Sequence, residues 1–205
     1  QNMKCLVTAG PTIEPIDPIR FFSNYSSGKQ GYEIAKQLML SGAKVILISG
    51  PTDLQPPPNV KIIKVKTAEE MNNAVKKYSK SDIAIFTAAV SDFSPKKIIN
   101  TKIKKENLKN IILKKNPDII KNASFNKYNR PKFVIGFALE TDNHIKNAKN
   151  KLIEKNCDLI VVNKISKKNN IFGSDYNQVT LISHKKINVL KKMTKIDVAK
   201  ILVNK

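Results

Sequence analysis

The sequence predicts one α/β domain over residues 1–205, with helices packed on a doubly wound, mainly parallel sheet. The first observation behind this fold class is that short apolar runs of strand length alternate with segments whose apolar residues recur at helical spacing. The second is that glycine or proline follows several of these runs and marks the turns that leave the strands. The 205 residues, of which 41% are hydrophobic, suffice for one ordinary globular core.

In the first half of the chain, apolar runs predict strands at residues 4–9, 43–49, 60–65 and 83–87. Amphipathic segments predict helices, the first from near Gly28 to Ser41 and the second from Ala68 to Tyr78. Thr67 and Glu70 have the spacing of a capping box, so the second helix should begin at Ala68. Residues 13–27 contain Pro15 and Pro18, which favour a long ordered loop.

The second half of the chain repeats the alternation after an irregular, lysine-rich stretch at residues 93–115. That stretch contains a possible strand at residues 111–113. A helix is expected to start at Pro117 with Asn116 as its cap. The remaining elements are strands at 133–138 and 159–162, a helix at 143–155, a hairpin of 179–182 with 187–190, and a closing helix at 194–203.

Three segments that could carry chemistry lie at the carboxyl ends of predicted strands or directly after them. They are Gly10-Pro11-Thr12, residues 88–92 and Gly136-Phe137-Ala138. In doubly wound folds, ligands bind beyond the carboxyl ends of the strands. The sequence therefore predicts a binding site at that edge of the sheet.

The start of the first helix, Ser26-Ser27-Gly28-Lys29-Gln30-Gly31, could hold a phosphate. Free amides at a helix start, two hydroxyls and a lysine suit an anion. The segment is not a Walker A loop, because Ser23 and Gln30 occupy positions where that motif needs glycine and a hydroxyl residue. An ordinary serine-capped helix explains the fragment equally well.

The run Lys102-Ile103-Lys104-Lys105 permits two interpretations. A solvated basic loop is the usual meaning of such a run, and composition alone favours it. The functional interpretation is a lysine that reaches a nucleotide phosphate and neutralises developing charge.

The formal charge of +21 does not by itself indicate a nucleic-acid partner. Proteins that read bases or clamp phosphates favour arginine over lysine. Among the 37 basic residues of this chain, only Arg20 and Arg130 are arginine. Compositional drift toward lysine, asparagine and isoleucine explains the charge better. The sequence has no apolar run of membrane-spanning length and no basic-then-apolar leader, so we expect a cytoplasmic location. Cys5 and Cys157 are expected to be reduced core residues.

Together these segments resemble the phosphopantothenoylcysteine synthetase family. Matching blocks occur in family order across nearly the whole chain, at residues 8–20, 23–31, 88–92, 102–105, 116–119, 136–141, 151–152, 155, 158–163 and 172–175. Each block is weak alone, but the ordered set is specific.

The resemblance implies a Rossmann-like fold and a two-step ligation. The carboxylate of 4′-phosphopantothenate attacks the α-phosphate of CTP, pyrophosphate leaves, and the amine of L-cysteine then displaces CMP from the acyl-cytidylate. Mg²⁺ is expected on the triphosphate. Positioning and charge neutralisation can supply most of this catalysis, because no protein nucleophile is required.

The resemblance also assigns site residues. Asn24 matches the asparagine that handles the acyl-cytidylate, and Lys102 matches the lysine that contacts the nucleotide phosphate. With the helix-start cradle, the expected nucleotide-binding set is Gly10, Ser26, Ser27, Gly28, Lys29, Ala88, Ala89, Asp92, Lys102, Asn116, Pro117, Asp118, Ile119, Phe137, Lys151 and Lys155. Phe137, Lys151 and Lys155 would not be chosen without the family.

The family implies two kinds of partner. Its members form homodimers, partly through a small β extension, for which residues 96–115 and 164–189 are the candidates. Bacterial members are often fused to a flavin-dependent phosphopantothenoylcysteine decarboxylase, which is absent from this sequence. Residues 106–110 are short for the family's mobile loop over the site.

Two other classes of function remain open. A nicotinamide-dependent oxidoreductase would need a glycine fingerprint after the first strand, which this sequence lacks, and an acidic residue at the end of the second strand. Asp53 lies near that position, but Gly50-Pro51 separates it from the predicted strand. A basic nucleic-acid-binding domain would show strongly salt-dependent affinity.

Overall fold

The computed structural model describes residues 3–108, 110–164 and 173–204. Within these ranges, strands and helices alternate as the sequence predicts. In chain order they are β1 (Lys4–Ala9), β2 (Glu14–Pro15), β3 (Phe21–Phe22), α1 (Lys29–Leu40), β4 (Lys44–Ser49), β5 (Lys61–Lys64), α2 (Ala68–Tyr78), β6 (Ile83–Phe86), β7 (Phe93–Pro95), a 3₁₀ turn (Lys105–Leu108), β8 (Leu113–Lys115), α3 (Ile119–Ser124), β9 (Phe133–Glu140), α4 (His144–Glu154), β10 (Leu159–Lys164), β11 (Tyr176–Asn177), β12 (Val179–Ser183), β13 (Ile187–Val189), β14 (Met193–Thr194) and α5 (Lys195–Val203).

An eight-stranded sheet runs through the centre in the order β13-β12-β10-β9-β6-β1-β4-β5. In that order, the six strands from β10 to β5 are mutually parallel. β12 pairs antiparallel with β10, and β13 pairs antiparallel with β12. From β1 the chain adds β4 and β5 on one side, and then returns to add β6, β9 and β10 on the other. The fold class predicted from the sequence is thus confirmed, and the order reverses between β1 and β6, where such folds bind ligands.

Each face of the sheet has its own apolar core, because successive side chains of a strand point to opposite faces. Val7 packs on one face with α1 and α5, and Leu6 packs on the other with α2, α3 and α4. The carboxyl edge of the sheet is therefore flanked by different helices on its two sides.

The predicted start of α3 was wrong. The helix begins at Ile119, and Asp118 caps it by accepting a hydrogen bond from the amide of Lys121. Asn116 lies three residues before the helix and is not its cap; its side chain instead donates to the carbonyl oxygen of Ser91 at 2.8 Å. The capping box of α2 is confirmed on Thr67, which accepts from the amide of Glu70, but the Glu70 carboxylate accepts from the amide of Lys66.

Two segments expected to be irregular contain short strand pairs. In the loop of residues 13–27, β2 pairs antiparallel with β3. In the lysine-rich stretch, β7 pairs antiparallel with β8, so the predicted strand lies two residues later, at Leu113–Lys115. Together they form small sheets beside the central one.

The segment 164–189, proposed as a dimerisation extension, lies partly in the molecule's own sheet. β12 and β13 continue the central sheet beyond β10, while residues 165–172 lie outside the described ranges. Within those ranges, no helix is long and apolar enough to cross a lipid bilayer.

Candidate functional site

A cleft of about 550 Å³ lies at the carboxyl edge of the sheet, beyond β1, β6, β9 and β10. It crosses the sheet edge, so its walls come from both faces. The start of α1 and Lys195 at the start of α5 form one side, and residues 116–120, Lys151 and Lys155 form the other. We call these the α1 side and the α3 side.

The α1 side is built on closely packed glycines. Gly10 and Gly28 both have positive φ, of 75° and 76°, which non-glycine residues rarely adopt. A Cβ on Gly28 would lie 2.8 Å from Cγ2 of Thr52, and one on Gly10 would lie 2.9 Å from the same atom. The chain can therefore turn sharply into α1 only with glycine at these positions.

Gly31, in the first turn of α1, allows the helix to lie directly on the sheet edge. A Cβ at this position would be 2.4 Å from Oγ1 of Thr87 and 2.5 Å from Cβ of Ala9. Because Gly31 contacts both β1 and the segment after β6, the start of α1 has a fixed position relative to the cleft.

Asn24 reaches the middle of the cleft from the loop before α1. Its Nδ2 donates to the carbonyl oxygen of Ala89 at 2.9 Å and is 3.4 Å from Oγ of Ser91. Ala89 is held in turn, since its amide donates to Gly10 and its carbonyl oxygen accepts from Thr12. Asn24 thus lies where the two sides of the cleft meet, with its Oδ1 unbonded among the described residues.

On the α3 side, two lysines are held by carboxylates. Lys151 Nζ lies 2.6 Å from Oε1 of Glu140, whose Oε2 accepts from the side chain of Asn147. Burial alone would raise the pKa of Glu140, but the hydrogen bonds from Lys151 and Asn147 outweigh it and hold that pKa below its usual value. Lys155 lies 3.4 Å from Asp118. The two carboxylates orient both ammonium groups at the cleft.

On the α1 side, Lys29 Nζ donates to Oδ1 of Asp175 at 2.8 Å and to the carbonyl oxygen of Gly173 at 3.0 Å. Lys195 lies close by and is only 8% exposed. Amide side chains fill the space beneath: Gln30 donates to the carbonyl oxygen of Lys195, Asn177 donates to Gln30, and Asn163 donates to Asn177.

Comparison with known proteins identifies the family. All 205 residues match the family described as "DNA/pantothenate metabolism flavoprotein C-terminal domain". The chain belongs to this family.

Relatives of this flavoprotein C-terminal domain include the coenzyme A biosynthesis bifunctional protein CoaBC of Borreliella burgdorferi, which is 46% identical over 98% of the chain and 51% of the relative. The same-named protein of Bacillus subtilis is 43% identical over 95% of the chain and 48% of the relative. The chain therefore spans about half the length of these curated relatives. A solved C-terminal domain of CoaBC superposes with a TM-score of 0.84 at 38% identity, covering 100% of this chain and 93% of that one.

The structure brings most of the predicted site residues of this domain into the cleft. Those lining it are Asn24, Ser26, Ser27, Gly28, Lys29, Ala88, Ala89, Asp92, Asn116, Pro117, Asp118, Ile119, Phe137, Lys151 and Lys155. Gly10 lies beneath Gly28 and shapes the turn. Lys102 is exposed on the loop after β7 and does not line the cleft, so its contact with a nucleotide stays a prediction.

The loop that carries Lys102 is nevertheless held in place at the next residue, Ile103. Asp17, whose side chain is fully buried, accepts hydrogen bonds from the amides of Ile19, Arg20 and Ile103. Arg20 donates to Asp17 and to the carbonyl oxygen of Ile103. Burial alone would raise the pKa of Asp17, but these hydrogen bonds and the Arg20 charge lower it.

Sequence reasoning gave no site role to Asn163, Asn177 and Lys195 on the α1 side, and it named Gln30 only as part of the helix-start segment. Asn163 carried a usable signal, since it follows an apolar strand run at the carboxyl edge. Lys195 carried another, because a cation in the first turn of a helix opposes the helix dipole.

Proposed function

We propose that this chain is a phosphopantothenate–cysteine ligase domain that uses CTP in coenzyme A biosynthesis. The observation that carries the proposal is a single cleft with two separate sets of lysines, Lys151 with Lys155 and Lys29 with Lys195, and with Asn24 between them. The reaction brings together two phosphorylated substrates whose reacting atoms must meet between them. The coenzyme A biosynthesis names of the relatives support the same conclusion.

In the proposed first step, a carboxylate oxygen of 4′-phosphopantothenate attacks the α-phosphorus of CTP, and pyrophosphate departs. In the second step, the amine of cysteine attacks the acyl carbon of the mixed anhydride, loses a proton and expels CMP. Neither cysteine of the chain is suited to act as a nucleophile, because burial raises the pKa of Cys5 to about 11 and that of Cys157 to about 12. Catalysis then rests on positioning and charge.

The α3 side is proposed to bind the nucleotide. Lys151 and Lys155 offer fixed positive charge, and residues 116–119 offer backbone polar groups beside Phe137. Lys102 would approach a phosphate from the loop that Asp17 and Arg20 hold.

Asn24 is proposed to hold the acyl-cytidylate. Its Nδ2 donates to the carbonyl oxygen of Ala89 at 2.9 Å and to Oγ of Ser91 at 3.4 Å, so the N–H in the longer contact could be redirected to the intermediate, and Oδ1 has no partner among the described residues. Because the side chain is neutral, it adds no repulsion beside phosphate oxygens.

Mg²⁺ on the triphosphate would offset its negative charge at the attacked phosphorus. Within the described ranges, no cluster of three histidine, cysteine or acidic side chains could hold a metal ion by itself. Asp118 is already used as a helix cap and as the partner of Lys155, whereas Asp92 presents a carboxylate to the cleft. Asp92 therefore fits as the protein oxygen for an ion that the phosphates mainly hold.

The test is pyrophosphate release by the purified chain with CTP, Mg²⁺ and 4′-phosphopantothenate, with and without L-cysteine. We expect stoichiometric release without cysteine and multiple turnovers with it, accompanied by 4′-phosphopantothenoylcysteine. ATP in place of CTP measures nucleotide preference. Absence of release under all these conditions would contradict the proposal.

A homodimer is proposed on the basis of exposed apolar residues in the segment 96–115. Ile98, Ile99, Ile112 and Leu113 are between 42% and 71% exposed, and a symmetric contact would bury them. Light scattering at micromolar concentration and moderate salt should give twice the chain mass of 23.0 kDa. A monomer mass would contradict the dimer. Association with a phosphopantothenoylcysteine decarboxylase, which the family resemblance implies, is proposed as well. The relatives are named bifunctional proteins and this chain spans about half of their length, which supports the proposal.

A further inference from the structure

A buried hydroxyl group joins the two helices that carry the α3 side of the cleft. Ser124, the last residue of α3, is only 1% exposed, and its Oγ donates to the carbonyl oxygen of Lys155 at 2.5 Å. Lys155 is the residue at which α4 ends. The backbone of a cleft lysine is therefore fixed by a residue that does not itself line the cleft.

The side chain of the same lysine is held at the other end of α3. Lys155 Nζ lies 3.4 Å from Oδ2 of Asp118, the N-cap of α3. A helix of this length extends about 9 Å. The Lys155 side chain therefore runs along α3, from the contact with Ser124 at the C-terminal end to the contact with Asp118 at the N-terminal end. The position of the ammonium group thus depends on both contacts.

The residue after Lys155 adds a second tie between the two helices. Asn156 has a positive φ of 48°, and its amide donates to the carbonyl oxygen of Ile153. The amide of the next residue donates to the carbonyl oxygen of Leu152, which completes a Schellman motif at the end of α4. In this turn, Asn156 Nδ2 donates to the carbonyl oxygen of Ser124 at 2.9 Å. We call the contacts of Ser124 with Lys155 and Asn156 the α3–α4 junction.

Arg130 attaches the α3–α4 junction to the central sheet. Its Nε donates to the carbonyl oxygen of Ser124 at 3.1 Å, and its Nη2 donates to the carbonyl oxygen of Asn156 at 3.1 Å. Nη2 also donates to Oδ2 of Asp158 at 3.0 Å, and the same oxygen accepts from the amide of Val134 in β9. The planar guanidinium group can make these bonds at once, which a lysine could not do.

We propose that Ser124 is a positioning residue for nucleotide binding, because its bond to the backbone of Lys155 sets where the Lys155 ammonium group lies. Asn156 and Arg130 hold Ser124 in place. The inference rests on the proposed function, in which Lys155 binds the nucleotide, and it deepens that function. Ser124, Asn156 and Arg130 do not line the cleft, so they act on the nucleotide through Lys155. A cation that is already in position binds an anion without the cost of being ordered.

The activity test compares Ser124→Ala with Ser79→Ala, a matched change at the end of α2. Ser79 is fully buried, does not line the cleft, and donates to the carbonyl oxygen of Lys76 at 3.1 Å within its own helix. Ser124 makes the equivalent contact with Lys121 at 3.3 Å. The two variants therefore differ in the loss of the bond to Lys155.

We expect Ser124→Ala to raise KM for CTP about fivefold, as the loss of one hydrogen bond commonly does to an equilibrium, and to leave KM for 4′-phosphopantothenate within about twofold. Ser79→Ala should match the wild type in both. In a Lys155→Met background, which already lacks the ammonium group, Ser124→Ala should change KM for CTP no further. An unchanged KM for CTP, equal rises in both KM values, or the same rise in the Lys155→Met background would overturn the proposal.

A second measurement needs neither substrate nor activity, so it separates failure of this inference from failure of the proposed ligase. With ¹³C at the lysine ε-carbons, the NMR signal of Lys155 is assigned by its loss from Lys155→Met. We expect Ser124→Ala to shift that signal and Ser79→Ala to leave it unchanged.

Asn156→Gly tests the same junction should Ser124→Ala not fold. Glycine adopts the positive φ at this position without strain, so the substitution removes only the side-chain contact with Ser124. The Lys155 signal should shift in this variant as well. An unshifted signal in the folded variants would refute the positioning role, whether or not the chain is an active ligase. A shifted signal in a chain without ligase activity would count against the proposed function alone.

Discussion

The contact of Gly31 with the sheet edge predicts that a single methyl group at this position will disturb the site. In Gly31→Ala the new Cβ would lie 2.4 Å from Oγ1 of Thr87 and 2.5 Å from Cβ of Ala9, so α1 must move outward by about 1 Å to restore normal contact. Overpacking of this kind costs about 1–3 kcal/mol, and the better helix propensity of alanine returns about 1 kcal/mol. We expect a net loss of unfolding free energy of about 0–2 kcal/mol.

The effect on activity should be larger than the effect on stability. The displaced start of α1 lines the cleft and carries Lys29, and a misplacement of about 1 Å can lower the rate about a hundredfold. Urea unfolding measures the first effect, and kcat/KM for 4′-phosphopantothenate measures the second.

Gly42→Ala is the matched control at the other end of α1. Gly42 has φ of 83° and open space around it, so the new methyl group meets no atom within 4 Å. Alanine with positive φ costs about 1–2 kcal/mol, but kcat/KM should not change. A folded Gly31→Ala protein with kcat/KM within twofold of the wild type would refute the reasoning.

Three further predictions concern the middle of the cleft and the loop that carries Lys102. Asn24→Asp cannot donate to the carbonyl oxygen of Ala89 and should still form acyl-cytidylate but transfer it poorly to cysteine; quenched reactions resolved by mass spectrometry check this, and full product with no trapped intermediate would contradict it. Lys102→Ala should lower pyrophosphate release about a hundredfold or more without changing urea unfolding, and near-normal release would assign Lys102 to a solvated loop. Because folding lowers the pKa of Asp17, its ionised form stabilises the native state above about pH 4, and this contribution is lost as the pH falls through the folded pKa. The unfolding free energy of the wild type should therefore fall more steeply below about pH 4 than that of Asp17→Asn, and equal slopes would contradict this role.

The sequence predicted the parts of the fold whose causes are local. β1 occupies Lys4–Ala9 as predicted, since its apolar run ends at a glycine-proline turn. Thr67 caps α2 as its spacing with Glu70 requires. The start of α3 could not be predicted in this way, because Asn116, a good local cap, is used instead in a contact with Ser91, which is distant in sequence.

The candidate site likewise has features that the sequence predicts and features that depend on tertiary contacts. The segments after the strands were predictable because the carboxyl ends of parallel strands meet at one edge. The position of Lys195 in the cleft was not predictable, because a lysine in a closing helix is usually solvent-exposed, and only tertiary packing places it beside Lys29. The role of Asp17 depends on a contact with Ile103, far along the chain, which no local pattern reveals.

The most direct test of the central claim is the fate of oxygen during the ligation. 4′-Phosphopantothenate labelled with ¹⁸O in its carboxylate is converted with CTP, Mg²⁺ and L-cysteine, and the ¹⁸O content of each product is measured by mass spectrometry. If the carboxylate attacks the α-phosphorus, one ¹⁸O atom must appear in CMP and none in pyrophosphate. Unlabelled CMP, or label in orthophosphate or pyrophosphate, would contradict activation through an acyl-cytidylate.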